Sequence, residues 1–139
     1  MTASQPYDFA AAKDAQIIAA QRQRSAEQFV IDSWKQYAAC ERAYRSALAA
    51  KIVELKAGGM AVTACADVAR GDHAVAALKH QRDISEGVRE AANQAAWRAS
   101  ADRKAEQSFL EWSARVSIAE TYNPPAHDDP RFTTGRRAA

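Results

Sequence analysis

Residues 51–63 read KIVELKAGGMAVT, and this stretch decides the fold because it separates two long helix-forming segments. Lysines precede the pair Gly58-Gly59, and basic residues followed by glycine are typical of a helix end. A second interruption follows at Gly71-Asp72, where Asp72 can cap a further helix. The glycine pair is not followed by the Lys-Ser/Thr of a phosphate-binding loop, so it indicates a chain reversal.

The segments on both sides of this reversal lack helix breakers. Residues 7–57 contain neither Gly nor Pro, and residues 73–121 contain the single glycine Gly87. Pro124-Pro125 then ends any helix. We therefore predict an all-α chain, with helices over about 7–57, 63–70 and 73–121.

The ends and the caps complete this outline. Residues 1–6 are predicted to be an N-terminal tail, and residues 122–139, which are poor in apolar side chains, an extended C-terminal arm. Thr63 is the predicted cap of the short helix. A break in the first helix near Arg22–Ser25, which would let it fold back on itself, remains an alternative.

The composition narrows the class of protein. A chain of 139 residues suits one domain, and five Gly with four Pro are too few for a β-protein rich in turns. The net charge of +2 argues against a strongly basic nucleic-acid coat. Because 34 residues are alanine, large apolar side chains are scarcer than the hydrophobic content of 47% suggests.

Both long helices carry apolar residues at alternating four- and three-residue spacing, which is typical of a coiled-coil seam. In the first helix this series is Val30, Trp34, Tyr37, Glu41, Tyr44, Leu48, Lys51 and Leu55; in the second it is Ile84, Val88, Ala91, Ala95, Arg98, Asp102, Ala105, Phe109, Trp112 and Val116. The short connection predicts an antiparallel long-helix hairpin, with Trp34 near Ala95–Ala99.

One hairpin seam leaves apolar side chains, such as Trp97, outside it. Since burying a large apolar side chain contributes about 1.5–3 kcal/mol, we expect a second seam and a helical bundle made from several chains. The candidate protein-interface residues are Trp34, Tyr37, Tyr44, Trp97, Phe109, Trp112 and Phe132.

The sequence predicts no catalytic, metal or cofactor site. His73 and His80 lie seven residues apart, about 10.5 Å along a helix, which is too far for one metal ion. Cys40 and Cys65 have small apolar neighbours, as is typical of buried thiols, and they suit a reducing compartment. No motif pairs a nucleophile with a base, so we expect that the protein is not an enzyme.

Nucleic acid is a possible but less favoured partner. Basic residues in both helical segments are interrupted by acidic ones, so no basic stripe is expected. In the arm, however, Arg131 precedes Phe132, and Arg136-Arg137 follow. An aromatic ring between arginines can stack on a base or dock on a protein, so Arg131, Arg136 and Arg137 are candidate contacts for either partner.

The residues LKAGGMAVT at 55–63 and ARGDHAVAAL at 69–78 resemble a type of small helical protein that bacteriophages and prophages encode. Those proteins typically read Lys-x-Glu-Gly, a short helix, then Gly-Asp-Pro-Glu-Val; here His73-Ala74 replaces the common Pro-Glu. The resemblance covers about half of the chain, from Tyr44 through Trp112. It implies a phage or prophage setting, often close to replication or recombination functions.

These observations together predict a non-enzymatic phage-type assembly protein, with a virion component as its most specific form. It would be a homo-oligomer or bind another phage or host protein. Alternatives are a recombination or replication accessory that binds single-stranded DNA or a recombinase, and an inhibitor of a host defence nuclease. No segment is long and apolar enough for a membrane, and no signal peptide is recognisable, so the expected location is the host cytoplasm or the virion.

Overall fold

The computed structural model describes residues 8–122, and these form three α-helices with no strand among them. The helices are α1 (Phe9–Ala57), α2 (Val62–Gly71) and α3 (His73–Thr121). The all-α prediction is confirmed. The predicted tail, and the arm from residue 123 onward with Phe132, Arg131, Arg136 and Arg137, lie outside the described residues.

Helix α1 is continuous, so the alternative of a break near Arg22–Ser25 is wrong. The Asp8 side chain caps its start by accepting a 3.0 Å hydrogen bond from the Ala11 N–H. At the far end Gly58 is the C-cap, and Gly59 has a φ of 87°, a conformation that glycine adopts without the steric cost of a side chain. The chain reverses there.

Helix α2 begins differently from the prediction. Its N-cap is Ala61, which makes no side-chain capping bond, and Thr63 lies within the first turn, so the prediction that Thr63 caps this helix is wrong. Packing holds the helix instead, because its own residues Cys65 and Ala69 are buried. Asp72 does cap α3: its carboxylate accepts hydrogen bonds from the N–H groups of Ala74 and Val75, at 3.1 and 3.4 Å.

Helices α1 and α3 lie against each other and run in opposite directions. Near the reversal, Lys51 Nζ lies 3.5 Å from Asp72 Oδ1. Farther along, Arg82 Nη1 lies 3.6 Å from Glu41 Oε2. Towards the other end, Arg103 donates a 3.1 Å hydrogen bond to Gln23. Residue numbers therefore fall along α1 as they rise along α3.

The seam between these two helices is built mainly from small side chains. Its buried members include Ala12, Ala19, Ser33 and Tyr44 on α1 and Val75, Ser85, Ala92 and Ser113 on α3. The serine hydroxyls donate to carbonyls of their own helix, for example Ser33 to Val30 at 2.8 Å and Ser85 to Arg82 at 2.7 Å. This pairing satisfies their polar atoms where water is excluded.

The predicted seam of α3 is wrong by one residue. Ile84, Val88, Phe109 and Trp112 are exposed, whereas the next residue in the chain after each of them faces α1 or its edge. Since successive helical residues are rotated by about 100°, the more apolar stripe points away from α1. The register also differs from the prediction, because Trp34 contacts Arg89 rather than Ala95–Ala99.

Replacing Asp72 tests the helix cap and its ion pair. The hydrogen bond from Val75, together with Lys51, lowers the pKa of Asp72 below its ordinary 3.8. The ionised carboxylate therefore stabilises the fold above pH 3.8, and this contribution is lost as the pH falls through the folded pKa. Asp72→Asn should lower the urea midpoint at neutral pH, and this difference from wild type should shrink on acidification.

The control for this experiment is Asp67→Asn, which removes an exposed carboxylate that pairs with Arg70 within α2. Its midpoint should stay close to that of the wild-type protein, with all proteins compared at one concentration. Equal midpoints for Asp72→Asn and Asp67→Asn at neutral pH would contradict the capping role.

Candidate interaction surfaces

Arginines of α3 cover the aromatic rings of α1 along the seam. The guanidinium carbon of Arg89 lies 4.3 Å from the centroid of Trp34 and 4.4 Å from that of Tyr37. Arg82 lies 5.1 Å from the centroid of Tyr44. A guanidinium over an aromatic face gains cation–π attraction while its aliphatic stem covers apolar surface.

The charge of Arg82 is further anchored by two carboxylates. It donates a 2.6 Å hydrogen bond to Asp83 and lies 3.6 Å from Glu41. The hydrogen bond to Asp83 raises the pKa of Arg82 above its ordinary value, so the group is charged at any physiological pH. This arginine layer connects α3 to α1 across the seam.

The predicted interface residues of α1 fall at three depths. Tyr44 is 8% exposed, so its assignment to an interface with another protein is corrected: it belongs to the seam within the chain. Tyr37 is half-buried under Arg89. Trp34 has one face against Arg89 and remains 48% exposed, so it lies at the edge of the seam.

The predicted interface residues of α3 are exposed. We call the row Ile84, Val88, Ala91, Ala95, Arg98, Asp102, Ala105, Phe109, Trp112 and Val116 the outer stripe. Within it Trp112 is 60% exposed, and its ring stacks on that of Phe109 with centroids 6.1 Å apart and planes at 29°. Large rings held together at the surface form an apolar patch of the kind that marks an interaction site.

A groove between α3 and α1 lies beside the centre of the outer stripe. Its volume is about 550 Å³, and half of the residues that line it are alanines. Charged side chains stand around it, with Arg22 on α1 and Arg98, Asp102 and Glu106 on α3. The small walls admit a neighbouring helix closely, and both signs of charge are present at its rim.

Trp97 lies on the opposite flank of the two-helix unit and is 79% exposed. It borders a second groove of about 400 Å³, whose other residues are Gln23, Glu27, Val30, Ile31, Asn93, Ala96 and Ser100. The two flanks therefore differ: the outer stripe is long and periodic, whereas the Trp97 flank carries a shorter apolar patch in which Trp97 adjoins Val30 and Ile31.

The residues with potential chemistry are separated in the structure. Among residues 8–122, no cluster of His, Cys, Asp and Glu could hold a metal ion. Cys65 is buried, with its sulfur 3.3 Å from the Ala61 carbonyl, and Cys40 is half-buried on α1. His73 and His80 are exposed on α3.

The described helices contain no stretch with the length and hydropathy of a membrane span.

Comparison with known proteins adds no neighbour to this description: no family model matches the chain, and no curated protein and no solved structure is significantly similar to it.

Removing the arginine layer should weaken the seam. We expect Arg89→Ala to lower the free energy of unfolding by about 1–2 kcal/mol, because it removes both the cation–π contacts and the packed stem. Arg89→Lys should recover only part of this loss, since an ammonium group cannot stack as a planar guanidinium does. Urea denaturation at a fixed protein concentration measures both effects.

Arg24→Ala is the matched control, because Arg24 is an exposed arginine of α1. It should leave the urea midpoint within error of the wild-type value. If Arg89→Ala behaved like this control, the stacking of Arg89 on Trp34 and Tyr37 would contribute nothing to stability.

Proposed function

We propose that this chain is a non-enzymatic assembly protein of the phage type, a virion component in its most specific form, that acts through protein–protein contacts. In this proposal the antiparallel pair α1–α3 is a hairpin-shaped shaft that joins other chains in a helical bundle. The C-terminal arm would supply a second contact. The location implied is the host cytoplasm or the virion.

One observation carries the proposal: the strongest apolar pattern of α3 lies outside its contact with α1. Ile84, Phe109 and Trp112 are each half-exposed or more, although the spacing of the stripe is that of a coiled-coil seam. Burying such side chains contributes about 1.5–3 kcal/mol each, so covering this stripe with another helix is strongly favourable.

The polar groups support the same role. The arginines nearest the aromatic rings, Arg82 and Arg89, are engaged in holding the two helices together. Alanines make up half of the residues that line the groove beside the outer stripe, and the groove beside Trp97 mixes apolar and polar residues. A surface of this kind suits helix docking better than turnover of a substrate.

The alternative of a single-stranded DNA-binding accessory protein depends on Arg131, Arg136 and Arg137, which lie outside the described residues. Binding of single-stranded DNA by the full chain would support this alternative. A mobility-shift assay of the full chain with single-stranded DNA at low salt separates the two roles, because phosphate contacts are strongest there.

Replacing Trp112 tests the assembly role. The full chain should sediment as a species larger than a monomer at micromolar concentrations. Trp112→Glu should shift it towards the monomer, because a buried unpaired carboxylate is costly, while helix content stays unchanged since the side chain is exposed in the single chain. Sedimentation velocity and far-ultraviolet circular dichroism measure these two properties.

Lys104→Glu is the control, because Lys104 is exposed on α3 away from the outer stripe. It should assemble like the wild-type protein. A wild-type chain that stays monomeric at all concentrations and shifts single-stranded DNA would overturn the proposal in favour of the accessory role.

A further inference from the structure

We propose that the outer stripe is the interface between two copies of this chain, which pack antiparallel about a two-fold axis passing between Arg98 and Asp102. This inference names the partner of the assembly surface, so it rests on the proposed function. The resulting unit is an antiparallel four-helix bundle, in which each α3 faces the α3 of the second copy and each α1 faces the second α1.

The stripe is complementary to its own reverse. A residue of one copy faces the residue at the same distance on the other side of the axis in the second copy. Outward from the axis, the facing pairs are Ala95–Ala105, Ala91–Phe109, Val88–Trp112 and Ile84–Val116. Each of the two large rings therefore faces a smaller side chain, and two alanines flank the centre. Alternating large and small partners fill an interface closely without voids.

Charge selects the same arrangement. The described residues provide no ion-pair partner within 4.0 Å for either Arg98 or Asp102, although both are exposed. In the antiparallel pair each Arg98 faces Asp102 of the second copy, so two opposite-charge contacts form across the axis. A parallel pair would place Arg98 against Arg98 and Asp102 against Asp102, which is repulsive.

Helix α1 has a matching centre. The α1 residues that line the groove are Ala15, Ile18, Ala19 and Arg22. The face that carries Ile18 and Arg22 continues at Ser25 and Phe29. About a point between Arg22 and Ser25, Ile18 meets Phe29, and both of these side chains are about half exposed.

The contact within the chain brings these two centres together. Gln23 lies next to that point on α1, and it accepts its hydrogen bond from Arg103, one residue beyond Asp102 on α3. The centre between Arg22 and Ser25 on α1 and the centre between Arg98 and Asp102 on α3 therefore lie within about one helical turn of each other along the shaft. One two-fold axis can therefore relate both helices to their copies.

The geometry of the faces suits a four-helix bundle. Eight of the ten residues of the outer stripe are each followed by a buried or half-buried residue. The two faces of α3 are therefore about 100° apart, and a bundle needs two faces near a right angle. The stripe from Ile84 to Val116 is about 50 Å long at 1.5 Å per residue.

The area available is sufficient for a stable dimer. With a helix width of about 10 Å, the ~50 Å of α3 in the outer stripe and the length of α1 beside it together offer roughly 1,000 Å² on one copy. A stable interface needs about 800 Å² per partner.

Charge exchange tests the arrangement. Arg98→Asp gives two acidic positions at the axis, and Asp102→Arg gives two basic ones, so either variant alone should dimerise more weakly than wild type by on the order of 100-fold. An equimolar mixture of the two variants should regain the dimer. The double variant Arg98→Asp/Asp102→Arg should dimerise like the wild-type protein.

The matched control is Lys104→Asp, which makes the same charge change as Arg98→Asp at an exposed position of α3 off the stripe. It should dimerise like wild type in sedimentation equilibrium. Circular dichroism of each variant checks that helix content is kept.

Oriented cross-linking gives an independent measurement of register. In a chain carrying Cys40→Ser and Cys65→Ala, the single variants Ala95→Cys and Ala105→Cys should form an intermolecular disulfide when mixed under oxidising conditions. Ala95→Cys alone should not, because the two copies of position 95 lie about 15 Å apart along the axis.

The outcomes separate this inference from the proposed function. A wild-type chain that never dimerises overturns this interface, and if it also shifts single-stranded DNA it overturns the proposed function as well. A wild-type chain that assembles, but whose assembly is insensitive to Arg98→Asp or whose Ala95→Cys variant cross-links to itself, overturns the antiparallel interface and leaves the assembly role standing.

Discussion

The contact between α1 and α3 is made mainly of small side chains, with arginines laid over aromatic rings, and the rest of the molecule depends on that composition. Small side chains let the two helices approach closely along most of their length, and buried serines such as Ser33 and Ser85 satisfy their own hydroxyl groups. The larger cross-helix contacts are arginines laid over aromatic rings. The seam is therefore narrow and partly polar, and it accommodates few large aliphatic side chains.

A narrow seam has a direct consequence for the outer faces. The large apolar residues of the outer stripe occupy positions one residue before the seam, so they are rotated by about 100° and lie at the surface, at the two ends of the stripe. In a single chain this stripe faces water along much of the shaft. The free energy available from covering it exceeds what isolated surface hydrophobics offer, because the exposed apolar side chains are regularly spaced and grouped at the two ends of the stripe.

The distribution of charge complements this arrangement. Arg82 and Arg89 are engaged at the seam, whereas Arg98 and Asp102 interrupt the outer stripe near its middle. Charges within an apolar stripe oppose indiscriminate association, because most registers would bury them against alanine or against a like charge. In the dimer that we propose, they would restrict the registers in which one α3 can pack on another.

The sequence by itself determined the three helices, because the evidence for them is local. Glycines at 58 and 59, the Asp72 cap and long runs without Gly or Pro act within a turn or two of their own position. The start of α2 was missed, since burial of Cys65 and Ala69, rather than a capping hydroxyl at Thr63, holds that helix. Which stripe of α3 meets α1, and in what register, was decided only by the tertiary structure. Both stripes repeat at the same spacing, so hydrophobicity favoured the one with Ile84 and Trp112. In the structure, the α3 stripe with smaller side chains packs against α1, and there Arg82 and Arg89 reach Tyr44 and Trp34. These contacts join residues far apart in the chain, so local sequence patterns could not predict them.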